Sequence, residues 1–80
     1  MVTNNIEDIR YKIIKNMGDE FIRLVRIGLI SSHLLAWVAI YESFVKQNEK
    51  DKKTEAAKTV AAQYEISSRQ VFIIIKYMES

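Results

Sequence analysis

The fold of this chain is decided by residues 60–71, which read Val60-Ala61-Ala62-Gln63-Tyr64-Glu65-Ile66-Ser67-Ser68-Arg69-Gln70-Val71. Ser67 and Gln70 match a capping box, in which a serine hydroxyl and a glutamine side chain satisfy free amides at a helix start. A helix is therefore predicted to open at Ser67. The preceding helix is predicted to end near Gln63, so only a tight connection, Tyr64-Glu65-Ile66, separates the two.

Both helices of this pair carry an apolar face. Thr54 is a candidate N-cap for the first helix, which is predicted from Glu55 to about Gln63. Its inward positions are Ala57, Val60, Ala61 and Tyr64. The inward positions of the second helix are Val71, Ile74, Ile75 and Met78. Residues 54–78 are thus predicted to form two short, sharply joined helices.

The arrangement in residues 57–76 resembles the helix-turn-helix of small bacterial and phage DNA-binding regulators. In that family a small residue lies midway along the first helix, and an apolar residue follows the turn. A serine or threonine then caps the second helix. The matching residues here are Ala61, Ile66 and Ser67, and a branched apolar residue, Val71, follows the cap by four positions. The stretch also looks like the C-terminal segment of Mor-type activators and of resolvase-like domains.

This resemblance implies sequence-directed binding of double-stranded DNA by a small transcriptional regulator of a phage or mobile element. The second helix would lie in the major groove, while lysines and amides in residues 52–58 would hold phosphates. The expected DNA-contacting residues are Lys52, Lys53, Lys58, Ser67, Ser68, Arg69, Gln70, Phe72, Ile73 and Lys76. The cations also fit a merely solvated surface, since a net charge of +2 permits a nucleic-acid partner without requiring one.

The sequence departs from the family pattern in the turn and on the second helix. Glu65 stands where the family usually has a glycine, which tolerates positive φ, so the turn is expected to be strained or one residue longer. Phe72 and Ile73 stand on the expected outward face, where polar and basic side chains would contact base edges. An apolar pair favours an alternative function: a protein-interaction or dimerisation module that keeps the helix-turn-helix shape and binds a protein partner.

Three further helices are predicted in residues 1–48, over roughly 5–17, 20–29 and 33–48. Their candidate N-caps are Asn4 or Asn5, Asp19, and Ser31 or Ser32. Gly18 is expected to end the first helix in a left-handed conformation, and Gly28 to weaken the end of the second. The polar run 47–53 is predicted to be a solvated linker.

The third helix is apolar around most of its circumference, which is typical of a central packing element or a dimer interface. Trp37, Tyr41 and Phe44 recur at helical spacing and are predicted to lie in the core. The predicted fold is all-α: one domain, residues 1–80, with about five helices ending in a helix-turn-helix. We expect a homodimer, formed chiefly by helices one to three, because paired half-sites require two copies.

Composition narrows the function classes further. The 80 residues contain no cysteine and a single histidine, His33, which is expected to be structural or exposed. We therefore expect no enzyme, no metal site and no cofactor, because the sequence shows no nucleophile–base pair, glycine-rich loop or ligand cluster. The longest uncharged stretch, Ile27–Tyr41, has 15 residues, fewer than the ~20 that a membrane-spanning helix needs. No targeting signal is recognisable, so the expected location is the cytoplasm.

Overall fold

The computed structural model describes residues 9–80, which form five helices joined by short turns. They are α1 (Arg10–Met17), α2 (Asp19–Arg26), α3 (Ser32–Asn48), α4 (Lys53–Tyr64) and α5 (Ser68–Met78). The described part of the chain contains no strand. The predicted all-α bundle is confirmed.

Helix α3 is the central element of the bundle, because it packs against α2, α4 and α5. Its buried side chains are Ile40, Tyr41 and Phe44, while Trp37 is half-buried at the edge of the core. Helices α4 and α5 supply most of the remaining core: Ala56, Ala57, Val60, Ala61, Val71, Ile74, Ile75 and Met78. The predicted apolar faces of α4 and α5 are therefore the faces that pack inward, with Tyr64 half-buried.

The first two helices differ from their predicted ranges within the described residues, and residues 5–8 of the first prediction lie outside them. Helix α1 begins at Arg10, and the predicted caps Asn4 and Asn5 lie outside the described residues. Gly18 ends α1 with a φ of 57° and a ψ of −128°, a positive-φ conformation that glycine adopts readily. Asp19 is the first residue of α2 rather than its cap, because the turn at Gly18 already starts the helix and Phe21 N–H bonds to the Gly18 carbonyl at 3.1 Å.

Helix α2 ends at Arg26, three residues before the predicted Leu29, because Gly28 adopts a φ of 89°. The Gly28 amide donates to the Val25 carbonyl at 3.1 Å, and the Leu29 amide donates to the Leu24 carbonyl at 2.9 Å. This pair of bonds is a Schellman motif, which satisfies the last carbonyls of a helix.

The starts of α3 and α4 show when a cap can be predicted. Of the two candidates predicted for α3, Ser31 is the cap, with its hydroxyl accepting from the His33 amide at 3.1 Å, and Ser32 is the first residue of the helix. Thr54 does not cap α4: the N-cap is Lys52, and Thr54 already lies inside the helix. The amide of the buried Ala56 bonds to the Lys52 carbonyl at 2.8 Å, which places the helix start before Thr54. The linker is residues 49–52, shorter than the predicted 47–53, because α3 extends to Asn48 and α4 begins at Lys53.

Candidate nucleic-acid interface

The turn between α4 and α5 consists of Glu65, Ile66 and Ser67. Glu65 is left-handed, with a φ of 60° and a ψ of 43°. The Ile66 amide donates to the Ala61 carbonyl at 2.9 Å, and the Glu65 amide donates to the Ala62 carbonyl at 3.3 Å. Glu65 thus adopts the conformation for which helix-turn-helix proteins use glycine, and the turn keeps three residues at the cost of backbone strain.

Ser67 fixes the start of α5, as predicted. Its hydroxyl accepts a hydrogen bond from the Gln70 amide at 3.0 Å. No acidic side chain lies in the first turn of α5, so its amides and dipole present positive potential there. Ile66 packs against the core just before this cap, as an apolar residue after the turn should.

Small residues line the inward side of α4. Ala61 is 5% exposed, and Ala56 and Ala57 have no exposed surface. The absence of longer side chains lets α4 lie close to its neighbours α3 and α5. Ala56 was not among the predicted inward positions, although the Ala56-Ala57 pair in the sequence was a usable signal for it.

The outward face of α5 carries a stripe of Arg69, Ile73 and Lys76, at helical spacing i, i+4 and i+7. All three are exposed, with Ile73 at 45%. The buried face of α5, formed by Val71, Ile74, Ile75 and Met78, lies on the opposite side. We call Arg69, Ile73 and Lys76 the α5 stripe.

Phe72 differs from its expected place on the outward face. It is half-buried and packs against the core, because it precedes the buried Ile75 by three residues and lies at the edge of the same face. Ser68 and Gln70 are also half-buried. The outward surface of α5 is therefore narrower than predicted, with one cation on each side of a single isoleucine.

The three lysines expected to hold phosphates are all exposed. Lys52 and Lys53 are the N-cap and first residue of α4, and Lys58 lies one turn further along. The Lys58 ammonium is 3.9 Å from the Glu55 carboxylate, but both side chains are more than 60% exposed. Such a pair is weak, so Glu55 does not hold Lys58 away from another anion.

A second group of polar contacts lies away from α5's outward stripe and connects the helices. The Tyr11 hydroxyl donates to Glu42 Oε2 at 2.8 Å, and Lys15 Nζ approaches the same oxygen at 2.9 Å. Burial, and secondly the hydrogen bond to Glu42, raises the pKa of Tyr11 to about 12. The hydrogen bonds from Lys15 and, secondly, from Tyr11 lower the pKa of Glu42. The Tyr41 hydroxyl similarly donates to Glu79 at 2.8 Å. These bonds join α1 to α3 and α3 to the end of α5.

An open aromatic groove lies between the start of α3 and the end of α5. It is lined by Ser31, His33, Leu34, Trp37 and Tyr77. The Trp37 and Tyr77 rings meet edge to face at 5.4 Å, and the Arg10 guanidinium lies 4.5 Å from the Tyr77 ring on α5. His33 is exposed, as predicted, and its ring centroid is 5.2 Å from that of Trp37. Tyr77 and Arg10 could not be predicted as neighbours from the sequence, because nothing local connects residues 67 positions apart.

Within residues 9–80 no three side chains of histidine, aspartate or glutamate cluster closely enough to bind a metal ion. Each helix of the same range is too short or too polar to cross a bilayer.

Comparisons of the chain with protein-family models, curated proteins and solved structures found no match.

Proposed function

We propose that this protein is a small cytoplasmic regulator that binds double-stranded DNA in a sequence-directed manner through α4 and α5. The observation that carries the proposal is the α4–turn–α5 unit. It combines a three-residue turn, a left-handed Glu65 and a Ser67 cap with the exposed α5 stripe. A helix-turn-helix uses these same parts to support its second helix and present it to the major groove.

The α5 stripe supplies chemistry for reading bases. Helix α5 has 11 residues and is about 16 Å long, so two turns of it can enter a groove that is about 12 Å wide. Arg69, in the first turn, can donate two hydrogen bonds to a guanine, and Ile73 can contact a thymine methyl group. Lys76, two turns from Arg69, is long enough to reach a phosphate at the groove edge.

The remaining cations supply affinity without sequence information. Lys52, Lys53 and Lys58 on α4 would neutralise phosphates, and the start of α5 offers free amides to another phosphate. Because each neutralised phosphate releases counterions, binding should weaken by roughly 0.9 log units per log unit of salt for each such contact.

The proposal is tested by fluorescence anisotropy with a library of mixed duplexes at ~50 mM salt, where even weak basic patches retain DNA. On a selected site, Arg69→Ala should cost ~1–3 kcal/mol and relax the preference at one base pair, while Lys53→Ala should weaken all duplexes alike. Lys12→Ala, which removes an exposed cation from α1, is the matched control and should have no effect. Absence of any retained duplex at this salt concentration would overturn the proposal.

A second function, binding of a protein partner through α5, is favoured by one observation. Ile73 lies at the centre of the α5 stripe and is 45% exposed. An exposed isoleucine is unusual at the centre of a surface that reads DNA, and it is typical of a surface that binds protein. Phe72 contributes less than predicted, because it packs against the core. Ile73→Ser separates the two functions: it leaves non-specific DNA binding intact, because it changes no charge, but it abolishes association with a protein held at this surface.

A further inference from the structure

The outward face of α2 has a charge pattern that α5 does not share. Asp19, Ile22, Arg23 and Arg26 line one shallow surface depression, at helical spacing i, i+3, i+4 and i+7. We call these four residues the α2 stripe. Its N-terminal end is acidic, its C-terminal end is basic, and Ile22 is 39% exposed between them. The charges of such a stripe are complementary to those of a second copy of the same stripe that runs in the opposite direction.

The two ends of the α2 stripe are free to pair with another chain. Within residues 9–80, neither Asp19 nor Arg26 forms an ion pair. Arg23, by contrast, is held by Glu20 of the same helix through contacts of 2.6 and 3.1 Å. Asp19 and Arg26 are seven positions apart, or about 10.5 Å along the helix axis.

We infer that α2 pairs in antiparallel orientation with α2 of a second copy of this chain. A two-fold axis midway between Ile22 and Arg23 brings Asp19 of each copy opposite Arg26 of the other. Both ion pairs form at once, since a two-fold interface places the same patch on both copies and repeats every contact. The antiparallel arrangement also sets the positive end of each helix beside the negative end of the other.

The same geometry covers apolar surface. Ile22 lies next to the axis and would pack on the aliphatic stem of Arg23 of the second copy, whose guanidinium stays with Glu20. Leu35 of α3, which is 39% exposed, shares a groove with Ile22 and extends the covered area. The occupant of this face is therefore a second copy, because Asp19 and Arg26 carry opposite charges at equal distances from the midpoint of the stripe, so the stripe matches its own charge pattern in reverse.

This inference names the surface of the homodimer that the sequence predicts, but it depends on no DNA contact. The test is sedimentation velocity without DNA, so its failure leaves the proposed DNA binding untouched. The unaltered chain should sediment as a dimer at micromolar concentration. Asp19→Arg and Arg26→Asp should each shift the chain towards monomer, with a dissociation constant at least about tenfold higher, because each opposes like charges twice.

Mixing the two variants gives the sharpest outcome. A copy with Asp19→Arg carries a cation at each end of the α2 stripe, and a copy with Arg26→Asp carries an anion at each end, so the mixture should recover a dimer of one copy of each. The doubly reversed chain should also recover its homodimer, because both pairs are restored with opposite polarity. Matched controls are Glu55→Arg and Lys46→Asp, which make the same changes near the ends of α4 and α3 and should leave the dimer intact.

A covalent readout keeps the inference falsifiable if a charge reversal unfolds α2. The chain has no cysteine, so Ile22→Cys introduces a single thiol beside the two-fold axis. Mild oxidation should link two copies through it, while Ile73→Cys on α5 should remain monomeric in a denaturing gel. The inference is overturned if the unaltered chain sediments as a monomer, if the mixed variants fail to associate, or if Ile73→Cys is linked and Ile22→Cys is not.

Discussion

Glu65→Gly should stabilise this protein, because Glu65 is the one described non-glycine residue with positive φ. A side chain in the left-handed region costs roughly 1–2 kcal/mol, which glycine avoids. Glycine in turn loses more conformational freedom on folding, by roughly 0.5–1 kcal/mol. The difference predicts a gain of about 0.5–1 kcal/mol in the free energy of unfolding. For a domain of this size that gain raises the Tm by roughly 2–8 °C.

The assay is urea denaturation with circular dichroism at several protein concentrations, because a dimer makes the midpoint depend on concentration. Glu65→Ala is the matched control: it removes the charge, keeps the Cβ and should leave the midpoint nearly unchanged. Gly28→Ala tests the opposite change, the addition of a Cβ to a residue with positive φ. The Cβ would meet only open space, so any loss of stability comes from the φ of 89°. A midpoint for Glu65→Gly at or below that of Glu65→Ala, with equal denaturant slopes, would refute the reasoning.

Three further predictions concern packing, capping and pH. Ala61→Leu should overpack the inward side of α4 and cost ~1–3 kcal/mol in chemical denaturation, whereas Ala62→Leu, at an exposed position, should cost little. Ser67→Ala should remove the acceptor for the Gln70 amide and cost about 0.5–2 kcal/mol, which a Ser67→Asn variant should largely restore. Because the pKa of Glu42 is lowered in the folded protein, its stabilising effect is present above the ordinary value of 4.5 and is lost as the pH falls through the folded value. Glu42→Gln should flatten this acidic limb of stability against pH, and an equally steep limb would show that Glu42 does not cause it.

The parts of the fold that could be predicted are those set by local chemistry. Ser31 and Ser67 cap the helices they were expected to cap, because each directly precedes the first turn and no other element competes. Asp19 and Thr54 look equally suitable in the sequence, yet neither is a cap. At those two helices the start is set by the turn at Gly18 and by the burial of Ala56, which depend on packing against the rest of the chain.

The candidate interface likewise contains features that local sequence predicts and features that packing decides. Helical periodicity was sufficient to place Arg69, Ile73 and Lys76 on the outward side of α5, but it could not decide Phe72, which lies at the boundary between the two faces. Whether a boundary residue packs or remains exposed depends on the shape of the neighbouring helices. For the turn, the sequence left two expectations open, a strained Glu65 or one more residue. The hydrogen bonds to the Ala61 and Ala62 carbonyls select the strained, left-handed Glu65.

The uneven distribution of the core has a consequence for how this protein opens. Helices α1 and α2 contribute one buried side chain each, Ile14 and Phe21, while α3, α4 and α5 share the rest of the described core. Backbone amides in α1 and α2 should therefore exchange their hydrogens with solvent through local detachment of this pair of helices. Amides of α3, α4 and α5 should exchange only when the whole molecule unfolds. The helix that would join two copies is thus one of the two that are held least firmly within each copy, so joining the copies should slow exchange in α2 more than anywhere else.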